Sequence, residues 1–263
     1  MKTKLDFAKK KKSGDKITML TCYDYTFAKI LNATSIDSLL VGDSLAQVIY
    51  GHPNTLAATA DMIAQHTEAV VRGAPDKFVV ADMPFLSVRK GLRAAMDAVH
   101  VLMKSGAHAI KIECLQGQEK IIHHIVESGV PVMGHLGLTP QSIHQLGGPK
   151  IQGRDQRVAE QMLTDSLKLQ ELGCFSLVLE CVPAILAGEI TGKLEIPTIG
   201  IGAGNKTSGQ ILVKQDMLGM NSQFSPKFLK KFADLEGETK SAVEKYIRDT
   251  LAETFPTKEH SYE

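Results

Sequence analysis

The 263-residue sequence has no tryptophan, few aromatic residues and no long apolar run. Because no stretch of about 18 uninterrupted apolar residues occurs, we expect no membrane span. The four cysteines, at positions 22, 114, 174 and 181, show no Cys-x-x-Cys spacing. We therefore expect reduced thiols in a cytoplasmic protein, not a disulfide scaffold or a zinc site. The 30 basic and 29 acidic side chains nearly cancel, which argues against a nucleic-acid-binding protein.

This near-zero charge is unevenly distributed. Residues 1–16 carry seven lysines and two aspartates, a net charge of +5, while the remaining 23 basic and 27 acidic groups give −4. The run 9–12 is all lysine, which is compatible with binding nucleic acid or anionic lipid. No aromatic residues interleave the lysines, however, and no apolar core follows as in a secretory signal. We therefore interpret 1–16 as a solvated basic N-terminal arm or helix.

A unit of helix, glycine, short aliphatic run and polar residue recurs along the chain. Gly73, Gly106, Gly129 and Gly173 precede the runs FVVAD, AHAIKIE, VPVMGH and CFSLVLE. Glycine just after a helix readily adopts the left-handed conformation that ends it, and continuous apolar runs are typical of parallel strands covered on both faces. Four further runs, ITMLT, SLLVG, PTIGIG and ILVKQD, bring the candidate strands to eight.

Helical patterns separate most of these strands, including RKGLRAAMDAVHVLMKS, with Ser87 as a candidate N-cap, and DQRVAEQMLTDSLKLQEL. Eight alternating units predict an α/β fold, a single (β/α)8 TIM barrel. A doubly wound open sheet is the alternative. We expect one domain over residues 1–263, with residues 226–263 forming a C-terminal helical extension and tail.

Five consecutive candidate strands end in a polar residue. Active sites of TIM barrels lie at the carboxyl ends of the strands, so these side chains would meet at one rim. Several carboxylates there would repel one another unless a cation lies among them, and their oxygens suit Mg²⁺, Mn²⁺ or Ca²⁺. The alternative is that each acid only caps the following helix. The five residues are Asp43, Asp82, Glu113, His135 and Glu180.

Three further features bear on this rim. Lys111 lies two residues before Glu113, so both point to one face of a strand, either as a structural ion pair or to hold an anionic substrate. In GHLGLTPQS, Thr139-Pro140 predicts the start of a helix just after His135. GIGAGN lacks the last glycine of a dinucleotide fingerprint, and we interpret it as a glycine-rich turn after the seventh strand.

Taken together, several segments resemble the ketopantoate hydroxymethyltransferase family. In chain order they are TCYDYTFAKI, LLVGDSLAQVIYGHPNTL, ADMPF, IKIE, PVMGHLGLTPQS, QGR, LVLECVP, IPTIGIGAGN and EHSYE. The combination of VGDS, IKIE and GHLGLTPQS is highly specific. Departures from the family pattern occur at Ala46, Ala57 and Cys114, none of which is a proposed ligand or base.

The resemblance implies a barrel of the phosphoenolpyruvate mutase superfamily type and a homodecamer in the cytoplasm. It also implies a Mg²⁺-dependent transfer, in pantothenate biosynthesis, of a hydroxymethyl group from 5,10-methylenetetrahydrofolate to 3-methyl-2-oxobutanoate, giving 2-dehydropantoate and tetrahydrofolate. Carried onto this chain, the implied catalytic base is Glu180 and the implied metal ligands are Asp43, Asp82 and Glu113. The implied contacts to the keto acid are Asp43, Ser44, Asp82, Lys111 and His135.

Two other functions compete with this interpretation. The same metal-dependent barrel could house a carbon–carbon lyase or phosphonomutase acting on a pyruvate-like acid, although the sequence shows no mobile loop with a catalytic cysteine. The chain could instead be a non-catalytic scaffold that uses its basic arm to bind nucleic acid or lipid.

Overall fold

A computed structural model describes residues 3–262, which fall into two compact units, 3–213 and 214–262. The first unit is a closed barrel of eight parallel strands in sequential order, with the eighth strand paired to the first. The TIM barrel is thereby confirmed, and the open sheet is excluded. The strands are β1 (Ile17–Thr21), β2 (Ser38–Val41), β3 (Phe78–Asp82), β4 (Ala109–Glu113), β5 (Val132–Gly137), β6 (Ser176–Glu180), β7 (Thr198–Ile201) and β8 (Gly209–Leu212).

Helices connect most of the strands and cover the outside of the barrel. They are α1 (Lys4–Ser13), α2 (Tyr25–Asn32), α3 (Leu45–Val48), α4 (Ala60–Gly73), α5 (Leu92–Lys104), α6 (Glu119–Glu127), α7 (Ile143–Leu146), α8 (Gln156–Glu171) and α9 (Ala184–Lys193). Short 3₁₀ turns occur at Thr55–Ala57 and Pro140–Ser142. The second turn begins at the Thr139-Pro140 signal, so a helical turn starts where the sequence predicted one.

The strands divide their side chains between two cores. Ile110 and Ile112 of β4 face the helices, whereas Ala109 joins Val80, Met133 and other residues inside the barrel. Because side chains alternate along a strand, the residues two positions further on also point inward. The apolar layer inside the barrel is therefore followed, toward the carboxyl ends, by the polar rim residues.

The basic N-terminal segment is a structured part of the barrel unit. Thr3 caps α1, and Phe7, only 3% exposed, packs against Phe78 and Phe175 with ring centroids 5.4 and 5.3 Å apart. Lys10 forms an ion pair with Asp37 at 2.7 Å. The segment is therefore a largely exposed helix, as one form of the prediction had it, but Phe7 attaches that helix to the barrel. Residues 1 and 2 lie outside the described residues.

Local details also differ from the sequence predictions. Ser87 does not cap α5; its hydroxyl donates to Pro84 O at 2.7 Å, and α5 instead starts after Gly91, which has a φ of +94°. Gly73 lies within α4 and is not left-handed, unlike the other three glycines of the repeat. A Cβ on Gly73 would lie 2.6 Å from Ala28 Cβ, so glycine here permits close packing of α4 on α2.

The last strand is also displaced from its predicted position. The run ILVKQD was expected to end a strand at Asp216, but β8 ends at Leu212. Residues 214–262 contain α10 (Lys214–Met217), α11 (Leu235–Leu251) and a 3₁₀ turn at Lys258–His260. The expectation of a single domain over residues 1–263 stays a prediction. No helix within 3–262 combines the length and apolarity needed to cross a bilayer.

Candidate active site

Five strand ends bring their polar side chains together at the carboxyl-terminal mouth of the barrel. Four of these side chains belong to strands β3 to β6, and each lies two residues beyond a position whose side chain points into the barrel. In strand order they are Asp82, Glu113, His135 and Glu180. Asp43 follows β2, and its backbone N–H donates to Asp82 Oδ2 at 3.0 Å. The predicted convergence of these residues is therefore observed, and the idea that they serve only as separate helix caps is wrong.

Lys111 connects the acids on one side of the rim. Its ammonium nitrogen lies 2.8 Å from Asp82 Oδ1, 3.9 Å from Glu113 Oε1 and 3.3 Å from His135 Nδ1. The side chain is only 5% exposed, so its charge is sheltered from water and directed at these groups. As predicted, Lys111 and Glu113 share the inward face of β4.

His135 connects the other side of the rim to Glu180. Its Nδ1 lies 3.6 Å from Glu113 Oε1, and its Nε2 lies 3.4 Å from Glu180 Oε2. The Glu180 side chain is 18% exposed, compared with 2–3% for His135 and Glu113. Glu180 is thus the acid of this group that a molecule entering the mouth could most readily reach.

Burial sets the electrostatics of the rim. Desolvation, reinforced by repulsion from Asp82 and Glu113, raises the pKa of Asp43 well above its usual range. Desolvation also raises the pKa of Asp82, although Lys111 opposes the shift. Burial would raise the pKa of Glu113 as well, but contacts with His135 and Lys111 outweigh it and lower that pKa. The ionised forms of Asp43 and Asp82 are therefore disfavoured unless a further positive charge lies beside them.

The pKa of His135 shifts in the opposite sense. Burial and the charge of Lys111 both disfavour the imidazolium, but the contacts with Glu113 and Glu180 outweigh them and raise the pKa of His135 to about 9. This shift favours the imidazolium form, which would lie between two carboxylates.

Two residues that the sequence predictions did not assign to the site contact it directly. Gln141 donates from its side chain to Asp43 Oδ2 at 2.8 Å and to Met83 O at 2.9 Å, and from its backbone to Glu113 Oε2 at 3.0 Å. Tyr23 is fully buried and shares a 2.7 Å hydrogen bond with the hydroxyl of Ser44. Gln141 lies within the motif GHLGLTPQS, which was the available signal for it.

Two glycines are needed for this geometry. A Cβ on Gly42 would lie 2.9 Å from Ser44 Oγ and 3.2 Å from Asp82 Oδ2. Gly137 ends β5 with a φ of +98°, and its Cβ would lie only 2.2 Å from Glu180 O. Any side chain at either position would displace a rim residue.

The predicted metal ligands offer oxygen donors but no preformed cage. Within 3–262, no three His, Cys, Asp or Glu side chains already have the arrangement of a metal site. Glu113 Oε1 is nonetheless buried without a hydrogen-bond partner, facing the cluster that contains Asp82 and Lys111. Three buried carboxylates at one rim, with one Glu113 oxygen that accepts no hydrogen bond, fit a hard divalent cation such as Mg²⁺.

A comparison with known proteins agrees with this arrangement of residues. The family model for ketopantoate hydroxymethyltransferase matches residues 2–258. The chain belongs to the ketopantoate hydroxymethyltransferase family. It is 57% identical over 262 residues to the 3-methyl-2-oxobutanoate hydroxymethyltransferase of Bdellovibrio bacteriovorus, covering 100% of both chains. It is 54% identical to the enzyme of the same name from Francisella tularensis subsp. tularensis, covering 100% of this chain and 99% of the relative.

The barrel also resembles solved structures outside the ketopantoate hydroxymethyltransferase family. It superposes on 2,3-dimethylmalate lyase, a member of the PEP mutase/isocitrate lyase superfamily, with a TM-score of 0.62. The match covers 95% of this chain and 89% of the lyase at 16% identity. This likeness shows the fold; the expected superfamily type stays a prediction.

The structure shows the surroundings of Cys114, one of the departures from the family pattern. Cys114, where the sequence comparison expected glycine, has a φ of +65°, a conformation that glycine adopts at lower cost. Its Sγ lies 3.7 Å from Thr139 Oγ1, so the thiol contacts the turn that carries Gln141. At Cys114, the main chain of this ketopantoate hydroxymethyltransferase therefore has a conformation that is typical of glycine.

Proposed function

We propose that this protein catalyses the transfer of a hydroxymethyl group from 5,10-methylenetetrahydrofolate to 3-methyl-2-oxobutanoate, with Mg²⁺ as cofactor. Water supplies the hydroxyl oxygen, and the products are 2-dehydropantoate and tetrahydrofolate. The observation that carries the proposal is the continuous set of charged groups from Asp43 to Glu180 at the barrel mouth, in a full-length member of the hydroxymethyltransferase family.

Asp43, Asp82 and Glu113 are the residues that would hold the metal. Their oxygens are the hard donors that Mg²⁺ prefers, and the buried Glu113 Oε1, which accepts no hydrogen bond, supports this assignment. When bound, the cation would supply electrophilic stabilisation of negative charge on the substrate's keto oxygen. Gln141 keeps Asp43 in place by donating to Oδ2, which leaves the other carboxylate oxygen for a ligand.

Lys111 and Ser44 would orient the keto acid. The buried ammonium of Lys111 provides a positive charge that is sheltered from water, where its attraction for a substrate carboxylate is less screened. Ser44 lies beside Asp43, and its hydroxyl is held by Tyr23. These contacts would place the C3 carbon of the substrate toward the more exposed side of the rim.

Glu180 is the proposed general base. Its carboxylate would accept the proton from C3, and the electron pair of the broken C–H bond would move toward the keto oxygen. His135, whose Nε2 lies 3.4 Å from Glu180 Oε2, would hold Glu180 in position. The resulting nucleophilic carbon then forms the new C–C bond to the one-carbon unit of the folate. The two C–N bonds of that unit break, its carbon gains the hydroxyl of a water molecule, and the two folate nitrogens take up the proton from C3 and the remaining proton of the water.

The lyase alternative is weaker. The lyase-like structures share the barrel at 16% identity or less, whereas the hydroxymethyltransferases share more than half of all residues. Substrate choice lies in the rim loops, and GHLGLTPQS, which supplies Gln141, belongs to the hydroxymethyltransferase pattern. The predicted cytoplasmic location and homodecamer stay predictions.

The purified protein should be incubated with Mg²⁺, 5,10-methylenetetrahydrofolate and 3-methyl-2-oxobutanoate, and both products should be quantified by mass spectrometry. We expect equal amounts of 2-dehydropantoate and tetrahydrofolate. In parallel, a panel of oxaloacetate-like and phosphonopyruvate-like acids should be followed for pyruvate release. Pyruvate release without hydroxymethyl transfer would contradict the proposal and favour the lyase.

A further inference from the structure

A second feature of the barrel mouth is a large cavity beside the rim. It has a volume of about 870 Å³ and lies between the loop after β4, the turn after β5 and the first half of α8. Gln141 lines it and also donates to Asp43, so the cavity is continuous with the charged rim. Cavities of 300–1,000 Å³ hold ligands the size of common cofactors.

The cavity walls are mostly apolar. Phe85 and Leu86, 37% and 42% exposed, line it together with Leu146 and Val158. Large apolar side chains left open to solvent around a cavity indicate a ligand with flat or aromatic parts. The keto acid is too small to cover this surface, which suits a second, larger molecule.

One buried acid stands out among the lining residues. Asp165, on α8, is 7% exposed. Its Oδ1 accepts a hydrogen bond from Gln161 at 2.8 Å, and its Oδ2 accepts one from Gln116. Arg89 in turn donates to Gln116 O at 2.7 Å and so fixes the loop that carries Gln116. The carboxylate is therefore held rigidly, with neutral donors and no cationic partner among the described residues.

The carboxylate oxygens of Asp165 can accept further hydrogen bonds, so they suit a ligand that carries N–H donors. An ionised carboxylate offers about four acceptor sites, and the two glutamines occupy one on each oxygen. One site on each oxygen remains, which matches two parallel N–H donors on the edge of a flat ring. The 2-amino group and the N3–H of a pterin are such a pair.

An exposed arginine lies at another part of the lining. Arg157 is eight residues before Asp165 on α8, about two turns away, and forms no ion pair with an acid of the described chain. A guanidinium in this position suits a carboxylate at the far end of a bound molecule. The cavity thus combines a donor-binding acid, apolar walls and a carboxylate-binding base.

We infer that this cavity binds the folate co-substrate, with Asp165 accepting hydrogen bonds from the pterin edge and Arg157 binding the glutamate tail. The inference rests on the proposed function, because it assigns the residues that hold its one-carbon donor. It places the p-aminobenzoyl group against the apolar wall and the one-carbon unit on the side of the rim.

The first test is Asp165→Asn, which keeps the shape of the side chain but replaces one acceptor oxygen with an N–H donor. The dissociation constant for tetrahydrofolate, measured by calorimetry, should rise about 10- to 100-fold. The ratio of folate-dependent turnover to folate-free exchange of the C3 hydrogen should fall by the same factor. Glu171→Gln, an exposed acid on the same helix, is the matched control and should change neither value.

The second test does not depend on a buried residue. Arg157→Gln should weaken binding of tetrahydrofolate about 5- to 10-fold but should not change binding of tetrahydropteroate, which lacks the glutamate. Arg154→Gln, an exposed arginine that does not line the cavity, is the control.

Unchanged tetrahydrofolate affinity in both Asp165→Asn and Arg157→Gln would overturn the inference. So would tighter binding of guanosine 5′-monophosphate, whose base has the same donor edge, than of tetrahydrofolate. These failures differ from failure of the proposed function, in which the wild-type protein would neither exchange the C3 hydrogen nor consume the folate.

Discussion

Replacing Gly137 with alanine would place a methyl group against the backbone of Glu180, the proposed base. The new Cβ would lie 2.2 Å from Glu180 O, whereas real Cβ atoms essentially never approach another heavy atom within 3.0 Å. The two groups must therefore separate by at least 0.8 Å. The hydrogen bond from Leu138 N to the same oxygen, 2.8 Å long, would be strained by that movement.

The expected loss of activity follows from this displacement. A misplacement of about 1 Å in a catalytic group can reduce a rate about 100-fold. We expect Gly137→Ala to slow exchange of the C3 hydrogen of 3-methyl-2-oxobutanoate by about that factor, measured by proton NMR in deuterated water. The positive φ at this position adds a stability cost of about 1–3 kcal/mol, measured by urea unfolding.

Gly129→Ala is the control that separates the loss of exchange rate from the loss of stability. Gly129 has a φ of +88°, close to the +98° of Gly137, but a Cβ there would meet no atom within 4 Å. This control should lose a similar amount of stability and retain its exchange rate to within about twofold. Equal exchange rates in the two variants would refute the argument that Gly137 positions Glu180.

Four further outcomes are expected. Glu180→Gln should slow C3 exchange at least about 100-fold while leaving Mg²⁺ binding, measured by calorimetry, nearly unchanged, because the amide cannot accept the proton. Asp82→Ala should instead weaken binding of both Mg²⁺ and the keto acid, and wild-type affinities would contradict its assignment. Lys111→Met leaves buried acids without their cation and should lower the free energy of unfolding by about 3–5 kcal/mol. An unfolding free energy equal to that of the wild type would contradict this prediction. Phe7→Ala should lower the free energy of unfolding, measured with urea, by about 3–5 kcal/mol. Leu5→Ala, at a side chain 62% exposed, should lower it far less, and equal losses in the two variants would argue against a packing role for α1.

The fold and the main site residues were predictable because they depend on local periodicity. Alternation along β4 places Lys111 and Glu113 on one face whatever the tertiary context, and a parallel barrel gathers strand ends automatically. Asp82, His135 and Glu180 follow from the same rule. The sequence pattern therefore predicted which side chains meet, and the structure added their distances and charges.

Other features depend on contacts that no local pattern encodes. Gln141 reaches Asp43 across 98 positions of the chain, through a turn whose path the sequence does not specify. Ser87 matches the composition of an N-cap, but its hydroxyl bonds a nearby carbonyl instead, a common competition for serine. A Cβ at position 209, the first residue of β8, would lie 2.3 Å from Ile17 O, so glycine is needed there, and a search for apolar runs cannot detect this constraint.

The charge of the N-terminal segment predicted its exposure but not its attachment to the barrel. Lysine-rich composition indicates solvent exposure, and most of the α1 lysines are indeed at the surface. A single aromatic residue, Phe7, is enough to fix the helix to the barrel interior by contacts with Phe78 and Phe175. Composition averages over a segment, whereas packing is decided by individual side chains.

The measurement that most directly tests the central claim is exchange of the C3 hydrogen of 3-methyl-2-oxobutanoate in deuterated water, without folate. It depends at once on the keto-acid site, the divalent cation and the base. We expect rapid exchange by the wild-type protein with Mg²⁺, loss of exchange with excess EDTA, and recovery when Mg²⁺ is restored. Equal exchange with and without the chelator, or no exchange by the metal-loaded protein, would contradict the account.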